Sequence, residues 1–518
     1  MIDQNHGGIR PRGRYPRWIW LILFYLLSAV PLWAGDLETI GLTRLLGSQP
    51  GLTGAGVIVA QPESGNNSPA FEINPLAVAE PEDLFSWIST NGNASVFPNN
   101  VGTESGHADG VADNFFAPGT GVATGVSHVD NYDADYFVNA VIDTDQSISD
   151  QVVNQSFIDT ALTNVASDDS FYDDYVATHG TIICSAVGNG GHVYPPATAY
   201  NVISVGCYGI GASSSSGPTT DNGRSKPDLI APSQETSFST PYVSGSAAVL
   251  LQAASRGDGG TNLAGAGDVR TIKALLMNGA IKPFGWSRSA TAPLDKLYGA
   301  GLLNVDYSYD QLAAGQRPFS ASDTSSAPEY SNPIATPQGW DFRPITSNPA
   351  SPTVNHYCFE VSNARGFTLT ATLVWERALG ASGVNQLTLA LDDFDTGALV
   401  AQSVSTVDNV QHLYVPRLDS GKYDLQVRRV AALSPVADDY ALAYQFFPIS
   451  PPTLSIVAVG KSVTISWPAT PTIYTLQQTA SLNPPISWNA VSASHLLTNG
   501  LVVVNLTAAT TSFYRLLQ

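Results

Sequence analysis

The chain has 518 residues, of which 43% are hydrophobic and 13% charged, and it carries a formal net charge of −20. One hydrophobic core does not serve a chain of this length, so two to four domains are expected. The acidic charge argues against nucleic acid or an anionic membrane surface as a partner. Three cysteines are too few and too scattered for a disulfide framework or a zinc site. We expect buried thiols, with a Cys184–Cys207 disulfide as the alternative.

The N-terminus carries a pattern typical of protein export. Four arginines between residues 10 and 17 precede an apolar run, Trp18–Trp33, and small residues follow it. This order predicts a secretory signal at residues 1–34. The run is shorter than the ~20 residues that span a membrane, and a retained anchor is the alternative. In both cases we expect a protein that is secreted or displayed at the cell surface, with no membrane contact beyond this segment.

Short apolar runs rich in β-branched residues alternate with helical patterns from about residue 51 to residue 312. The runs include "GVIVAQ" (56–61), "GTIICSAVGN" (180–189) and "NVISVGC" (201–207). Runs that are apolar on both faces are typical of buried parallel strands. Their alternation with helices predicts an α/β domain at residues 45–315 that is built on a doubly wound parallel sheet.

The pattern changes to alternating apolar and polar residues beyond a Pro- and Ser-rich linker that begins at Arg317. Runs such as "FTLTATLVW" (367–375) and "KYDLQVRRV" (422–430) are separated by turns such as "DSGK". This alternation predicts an all-β sandwich at residues 331–447. A second linker, "PISPP", precedes a smaller β domain at residues 453–518.

Four stretches of the α/β region carry residues suited to nucleophilic catalysis. In chain order they are "TGAGVIVAQPESG" (53–65), "SGHADGVADNF" (105–115), "SAVGNGG" (185–191) and "ETSFSTPYVSGSAAVLLQA" (235–253). Together they resemble the acid, histidine, asparagine-turn and serine motifs of subtilisin-like serine proteases, the subtilases (Peptidase S8). The resemblance implies a subtilisin-like fold, peptidase activity and no required cofactor. Structural calcium is compatible with the acidic loops.

The resemblance assigns a catalytic role to one residue in each stretch. Ser237 is the nucleophile at a helix N-terminus, His107 is the general base and then the general acid, and Glu63 orients the imidazole. Asn189 donates its side-chain amide to the oxyanion, together with the backbone N–H of Ser237. Each residue also has a plainer interpretation. These are a helix cap, a surface histidine, a solvated glutamate after a strand and a left-handed turn residue.

Two edges of the same region are expected to bind the substrate, again by resemblance. They comprise Ser156, Phe157, Ile158, Ser185, Ala186 and Val187. The first edge departs from the family pattern, because Ile158 stands where a glycine would let a peptide backbone approach.

Three further departures bear on activity. Glu63 stands where the family has aspartate, and the extra methylene requires the backbone or the histidine to retreat by about 1 Å, a misplacement that costs about 100-fold in rate. Glu235 stands where the family has glycine, so an anion either disturbs the nucleophile or selects basic groups in the substrate. Residues 35–51 leave no room for the propeptide of many secreted subtilases.

The two β regions resemble, respectively, the jelly-roll or pre-peptidase C-terminal domains of secreted proteases and a fibronectin- or immunoglobulin-like module. They could bind a surface, a polysaccharide or a protein, or only pack against the first domain. The sequence therefore predicts a secreted, monomeric serine endopeptidase acting on protein or peptide substrates. The alternatives are a catalytically inactive binding or surface protein on the same scaffold and an esterase-like hydrolase with the same triad.

Overall fold

The computed structural model describes residues 35–64, 69–160, 162, 165–346, 353–431, 438–507 and 511–518. The secretory signal expected at residues 1–34 lies outside the described residues. Within them, no helix combines the length and the apolar character needed to cross a membrane. The α-helices are α1 (Asp36–Thr39), α2 (Leu42–Ser48), α3 (Gly106–Phe115), α4 (Ala134–Tyr136), α5 (Val165–His179), α6 (Thr236–Arg256), α7 (Leu263–Ala266), α8 (Val269–Asn278) and α9 (Val305–Ala313). A 3₁₀ turn spans Glu82–Leu84, and a π-helical segment, Phe137–Ile142, continues α4.

The first ten strands build the region that carries the catalytic motifs. They are β1 (Ile58–Glu63), β2 (Ala70–Glu72), β3 (Phe85–Ser89), β4 (Gly92–Ala94), β5 (Thr103–Glu104), β6 (His128–Asp133), β7 (Val152–Gln155), β8 (Ile182–Ala186), β9 (Ile203–Tyr208) and β10 (Leu229–Pro232). Eight of them form one sheet in the order β10-β9-β8-β7-β1-β6-β3-β4, and β2 pairs with β5 separately. All neighbours in the large sheet are parallel except β3 and β4. The predicted parallel sheet is confirmed.

The position of β1 in this sheet determines where the candidate residues meet. β1 lies between β7 and β6. Strands β7 to β10 follow outward in chain order on one side, whereas on the other side the chain forms β3 and β4 before it returns to β6 beside β1. In such sheets the carboxyl ends of the central strands form a crevice that accepts ligands. Glu63 ends β1, Ser156 follows β7 and Asn189 lies just beyond β8.

The next nine strands form two antiparallel sheets around a shared core. They are β11 (Ala321–Asp323), β12 (Gln338–Ile345), β13 (Thr353–Val361), β14 (Phe367–Trp375), β15 (Gln386–Asp393), β16 (Leu399–Ser403), β17 (Val410–Leu418), β18 (Gly421–Ala431) and β19 (Asp438–Pro448). The sheet orders are β11-β13-β18-β15-β16 and β12-β19-β14-β17. Tyr357 and Leu425 from the first sheet and Leu369 and Leu442 from the second belong to one hydrophobic cluster.

The last region repeats this arrangement on a smaller scale. Its strands are β20 (Ser455–Val459), β21 (Ser462–Pro468), β22 (Thr475–Thr479), β23 (Asn489–Ala490), β24 (His495–Thr498), β25 (Leu501–Thr507) and β26 (Phe513–Leu517). They form sheets in the orders β20-β21-β25-β24 and β23-β22-β26. Ile465, Leu476 and Val504 are fully buried in the core that both sheets contribute to.

Both antiparallel regions pack against the parallel-sheet region through hydrogen bonds. Thr372 Oγ1 donates to Asn278 Oδ1 at 2.9 Å, where α8 ends. The backbone N–H of Asn499 donates to Thr39 Oγ1 at 2.8 Å, so the last region also contacts the N-terminal helix α1. The β regions are therefore docked on the first domain.

The three cysteines are buried and unpaired. Burial raises the pKa of the Cys184 thiol to about 12 and that of Cys207 to about 11. Such thiols remain protonated at neutral pH and are poor nucleophiles. The structure therefore has buried thiols rather than the alternative Cys184–Cys207 disulfide.

The helix that carries Ser237 and the helix that carries His107 approach each other closely at Gly245. A Cβ atom at this position of α6 would lie 2.6 Å from Val122 Cβ and 3.1 Å from the carbonyl oxygen of Phe115, the last residue of α3. Contacts this short require the neighbouring backbone to move. Gly245 thus fixes the distance between the two helices that bear the candidate catalytic residues.

We expect Gly245→Ala to lower the thermal unfolding midpoint. Overpacking at this contact costs about 1–3 kcal/mol, which outweighs the gain in helix propensity of about 0.5–1 kcal/mol. Gly47→Ala in the exposed part of α2 is the matched control, because nothing lies within 4 Å of its Cβ position. The control should raise the midpoint or leave it unchanged. Calorimetry checks both, and equal shifts in the two variants would contradict the close-approach explanation.

Candidate active site

Glu63 and His107 meet at the end of the parallel sheet. Glu63 is the last residue of β1, and its side chain is 1% exposed. His107 lies in the first turn of α3, which Ser105 caps by accepting a hydrogen bond from the Ala108 N–H. His107 Nδ1 donates to Glu63 Oε2 at 2.8 Å. The carboxylate can only accept, so Nδ1 carries the proton and Nε2 is the basic nitrogen of the neutral ring.

This contact is specific to Glu63 among the nearby carboxylates. Asp109 is closer to His107 in sequence, but its Oδ1 accepts from the backbone N–H of Asn74 at 2.8 Å. His107 is 38% exposed at its side chain. A buried carboxylate therefore lies behind an imidazole whose other edge reaches solvent.

Electrostatics make His107 more basic than an ordinary histidine. The hydrogen bond to Glu63 raises the pKa of His107, burial acts in the opposite direction, and the charges of Glu63 and Glu235 raise it further. Glu235 is exposed and immediately precedes α6. The anion that replaces glycine thus lies close enough to act on the imidazole.

Ser237 is the second residue of α6 and is linked to the end of β7. Pro241 lacks the N–H that would donate to the Ser237 carbonyl one helical turn earlier, so that carbonyl needs another donor. Ser156 Oγ supplies it at 2.7 Å, and in return Ser237 Oγ donates to the Ser156 carbonyl at 3.2 Å. Among the described residues, no hydrogen bond joins Ser237 to His107. Pro241 therefore leaves the Ser237 carbonyl free to accept the hydrogen bond that links the start of α6 to Ser156.

Asn189 is oriented by the residue that precedes the serine. Its Oδ1 accepts from the Thr236 N–H at 2.8 Å and from Thr236 Oγ1 at 2.9 Å. A backbone N–H can only donate, so the amide oxygen faces Thr236 and Nδ2 is left to donate elsewhere. Asn189 itself is not left-handed. Gly188 and Gly190 take the positive φ values, 100° and 119°.

The substrate-binding candidates separate into two groups. Phe157 and Ile158 are half-buried and line a groove together with Pro195 and Pro196. The side chains of the second edge, Ser185, Ala186 and Val187, are at most 2% exposed. β8 is an inner strand covered on both faces, and Ser185 Oγ donates to Gln155 Oε1 within the core. The structure brings Phe157 and Ile158 to the surface, whereas the side chains of Ser156 and of the second edge are buried.

Acidic side chains line two grooves that include neighbours of the candidate residues. The groove with Phe157 and Ile158 also contains Asp135, Asp143, Asp159 and Asp168. A second groove, beside Phe238, is lined by Asp36, Asp113 and Glu235. Both grooves are therefore acidic. Within the described residues, no group of three or more His, Cys, Asp or Glu side chains is arranged to hold a metal ion.

The sequence did not predict two contacts of the Glu63–His107 pair. Gln61 Nε2 donates to Glu63 Oε1 at 3.1 Å. The Phe238 ring lies 5.4 Å from the His107 ring, centroid to centroid. The signal for Gln61 was a polar residue inside an apolar strand, two positions before Glu63 and so on the same face. The Phe238 contact had no local signal, because it joins helices far apart in the chain.

Comparison with known proteins matches part of this site to a family. Residues 140–301 match the family model "Subtilase family" (Peptidase S8). This range contains Ser156, Asn189 and Ser237, whereas Glu63 and His107 lie outside it. No curated protein matches the chain.

Solved structures are similar only at low identity. A chain from a structure of subtilase cytotoxin SubAB assembly is 16% identical, with a TM-score of 0.39, over 54% of this chain and 96% of that one. A structure of tripeptidyl peptidase 2 (TPP II) is 12% identical, with a TM-score of 0.33, over 78% of this chain and 52% of that one. These likenesses say nothing about activity.

We expect Glu235→Gln to shift the acid limb of the pH–rate profile to lower pH. A histidine that serves as a general base must be neutral, and removal of this carboxylate lowers the pKa of His107. Glu104→Gln is the matched control: Glu104 is exposed, near His107 in sequence, and its charge acts on Asp109. The control should leave the limb in place. The measurement is the rate of covalent labelling of Ser237 by a fluorophosphonate from pH 5 to 9, and an unmoved limb in Glu235→Gln contradicts the coupling.

Proposed function

We propose that this chain is a serine endopeptidase that hydrolyses peptide bonds through Ser237, His107 and Glu63. The observation that carries the proposal is the 2.8 Å hydrogen bond from His107 Nδ1 to the buried Glu63 carboxylate. It holds the imidazole in the tautomer a general base needs. The family match over the segment with Ser237 and Asn189 supports the same reaction class.

The proposed reaction has two acyl-transfer steps. Ser237 Oγ first turns from the Ser156 carbonyl, breaking a neutral hydrogen bond of 3.2 Å, and attacks the substrate carbonyl. His107 Nε2 takes the serine proton and gives it to the leaving amine, which leaves an acyl-enzyme. Water then attacks the ester with His107 again as base, the bond to Ser237 Oγ breaks, and His107 returns the proton to Ser237 as the acid product leaves. Asn189 Nδ2 and the Ser237 N–H donate to the oxyanion in both steps.

We also propose that the enzyme is exported, is monomeric and acts on protein or peptide substrates. The export pattern of residues 1–34 supports a secreted or surface-displayed enzyme. The reaction as written uses side chains and water and needs no cofactor; calcium would be structural.

An inactive binding protein on the same scaffold is the second candidate. The Ser237 hydroxyl donates to a backbone carbonyl and not to His107, which favours this alternative. Glu235 beside the nucleophile and Ile158 at the substrate edge point in the same direction. The β regions would then be the place to look for a ligand.

Active-site labelling distinguishes the two candidates. We expect a fluorophosphonate to label the purified full-length protein, because an activated serine attacks phosphorus whereas an ordinary serine does not. Ser237→Ala should abolish labelling. Glu63→Ala should slow it by about 100-fold or more, because the imidazole loses its orienting partner.

Two outcomes separate the remaining possibilities. No labelling of a well-folded wild type contradicts the enzyme and favours the scaffold. Labelling with hydrolysis of ester substrates but no digestion of casein replaces the peptidase by an esterase.

We also expect the cleft to favour cationic peptides. Carboxylates line the groove with Phe157 and Ile158 and the groove beside Phe238, and exposed charges of opposite sign accelerate association most at low ionic strength. Two fluorogenic peptides that differ only by lysines or glutamates flanking the cleaved bond should differ in kcat/KM, with the lysine peptide faster. The ratio should shrink as salt rises from 10 to 300 mM. An equal or reversed ratio at low salt contradicts this preference.

A further inference from the structure

Gln61 touches both the carboxylate and the helix that carries the candidate base. It is fully buried on β1, two residues before Glu63 and on the same face of the strand. Its Nε2 donates to Glu63 Oε1 at 3.1 Å and to the carbonyl oxygen of Ala108 at 2.9 Å. Ala108 follows His107 in the first turn of α3. One amide group thus contacts both Glu63 and the helix that carries His107.

The orientation of this amide is fixed by its surroundings. A carboxylate and a carbonyl oxygen can only accept hydrogen bonds, so the atom that faces both must be the amide nitrogen. The amide oxygen, Gln61 Oε1, is then buried without a hydrogen-bond partner among the described residues. A buried unsatisfied acceptor is unfavourable for folding. Such local conflicts are expected where function requires them.

The strand that carries Gln61 is itself held at this residue. Asn131 lies opposite Gln61 in the register of β6 against β1, and it is fully buried. Its Nδ2 donates to the Gln61 carbonyl oxygen at 2.9 Å. Backbone and side chain of Gln61 are therefore both fixed.

A glutamate needs this support more than an aspartate does. Its side chain has one more rotatable bond, and a single hydrogen bond from His107 leaves the carboxylate free to rotate away from the ring. With both oxygens engaged, Oε1 by Gln61 and Oε2 by His107, the carboxylate is held in one orientation.

We propose that Gln61 is a positioning residue, which holds the Glu63 carboxylate on His107 Nδ1 and keeps α3 at the distance that this contact requires. The catalytic consequence of this role rests on the proposed function. The effect on the imidazole exists whether or not the protein is an enzyme. Gln61 does not touch the reacting atoms, and it acts through Glu63 and His107.

Two substitutions at position 61 should both move the titration of His107 to lower pH. Gln61→Met keeps the length of the side chain and removes both N–H donors, so the Glu63–His107 hydrogen bond loosens and the His107 titration shifts to lower pH. Gln61→Asn keeps the amide but shortens the side chain by one methylene, so its N–H no longer reaches Glu63 Oε1 and the titration shifts in the same direction. A residue with only a structural role would move neither.

The titration is measured by NMR on the full chain with ¹³C-labelled histidine, and the His107 signal is assigned by its loss in His107→Gln. The pH dependence of fluorophosphonate labelling is measured on the same proteins. Gln61→Met should label about 10- to 100-fold more slowly at its optimum, as expected for loss of an outer hydrogen bond to a catalytic group. Its acid limb should move with the NMR midpoint.

Gln411→Met is the matched control. Gln411 is fully buried in the first antiparallel region, and its amide nitrogen donates to the carbonyl oxygens of Leu387 and Ser405. The control should lower stability while the His107 titration and the labelling rate stay at their wild-type values.

Each outcome decides the proposal. Wild-type titration and labelling in folded Gln61→Met would overturn it. If Gln61→Met does not fold, Gln61→Asn decides, and an unshifted or upward-shifted titration overturns the proposal. If the wild type is not labelled at all, the proposed function fails, and the NMR titrations still decide the role of Gln61.

Discussion

The site is organised around one buried charge, the carboxylate of Glu63. Burying an ionised carboxylate is unfavourable unless donors satisfy it, and Glu63 is almost fully buried at the end of a central strand. Its two oxygens receive hydrogen bonds from different elements, Oε1 from Gln61 on the same strand and Oε2 from His107 on α3. The need to satisfy this carboxylate therefore ties α3 to β1. The orientation of the imidazole is a consequence of that requirement.

A second constraint fixes the other half of the site, and it comes from the backbone of α6. Because Pro241 cannot donate to the Ser237 carbonyl, the first turns of this helix must find a donor outside it. Ser156 supplies that donor, which ties the helix to the end of β7. Thr236 then fixes the amide of Asn189. The missing helical hydrogen bond thus links the serine to two neighbouring strands.

The two antiparallel regions make further contacts with the parallel-sheet region, away from Ser237. They contact the parallel-sheet region at the end of α8 and at α1, through Asn278 and Thr39. Asp36 of α1 accepts a hydrogen bond from Tyr242, one turn and a half beyond Ser237 in α6. The last β region therefore contacts α1, and α1 in turn contacts α6, the helix that carries Ser237.

The sequence by itself determined the sheet types and the motif order, because strand burial and alternation are local patterns. Apolar runs such as residues 56–61 predicted the parallel sheet, and alternating runs such as residues 367–375 predicted the antiparallel regions. The motif order also paired Glu63 with His107, and the two side chains are hydrogen-bonded in the structure. Only the tertiary structure decided which atoms meet. The link from Gln61 to α3 joins residues 47 positions apart, and the hydrogen bond that holds Ser237 joins residues 81 positions apart. The burial of the 185–187 side chains depends on which strand lies inside the sheet. Local patterns encode neither the distant contacts nor the strand order.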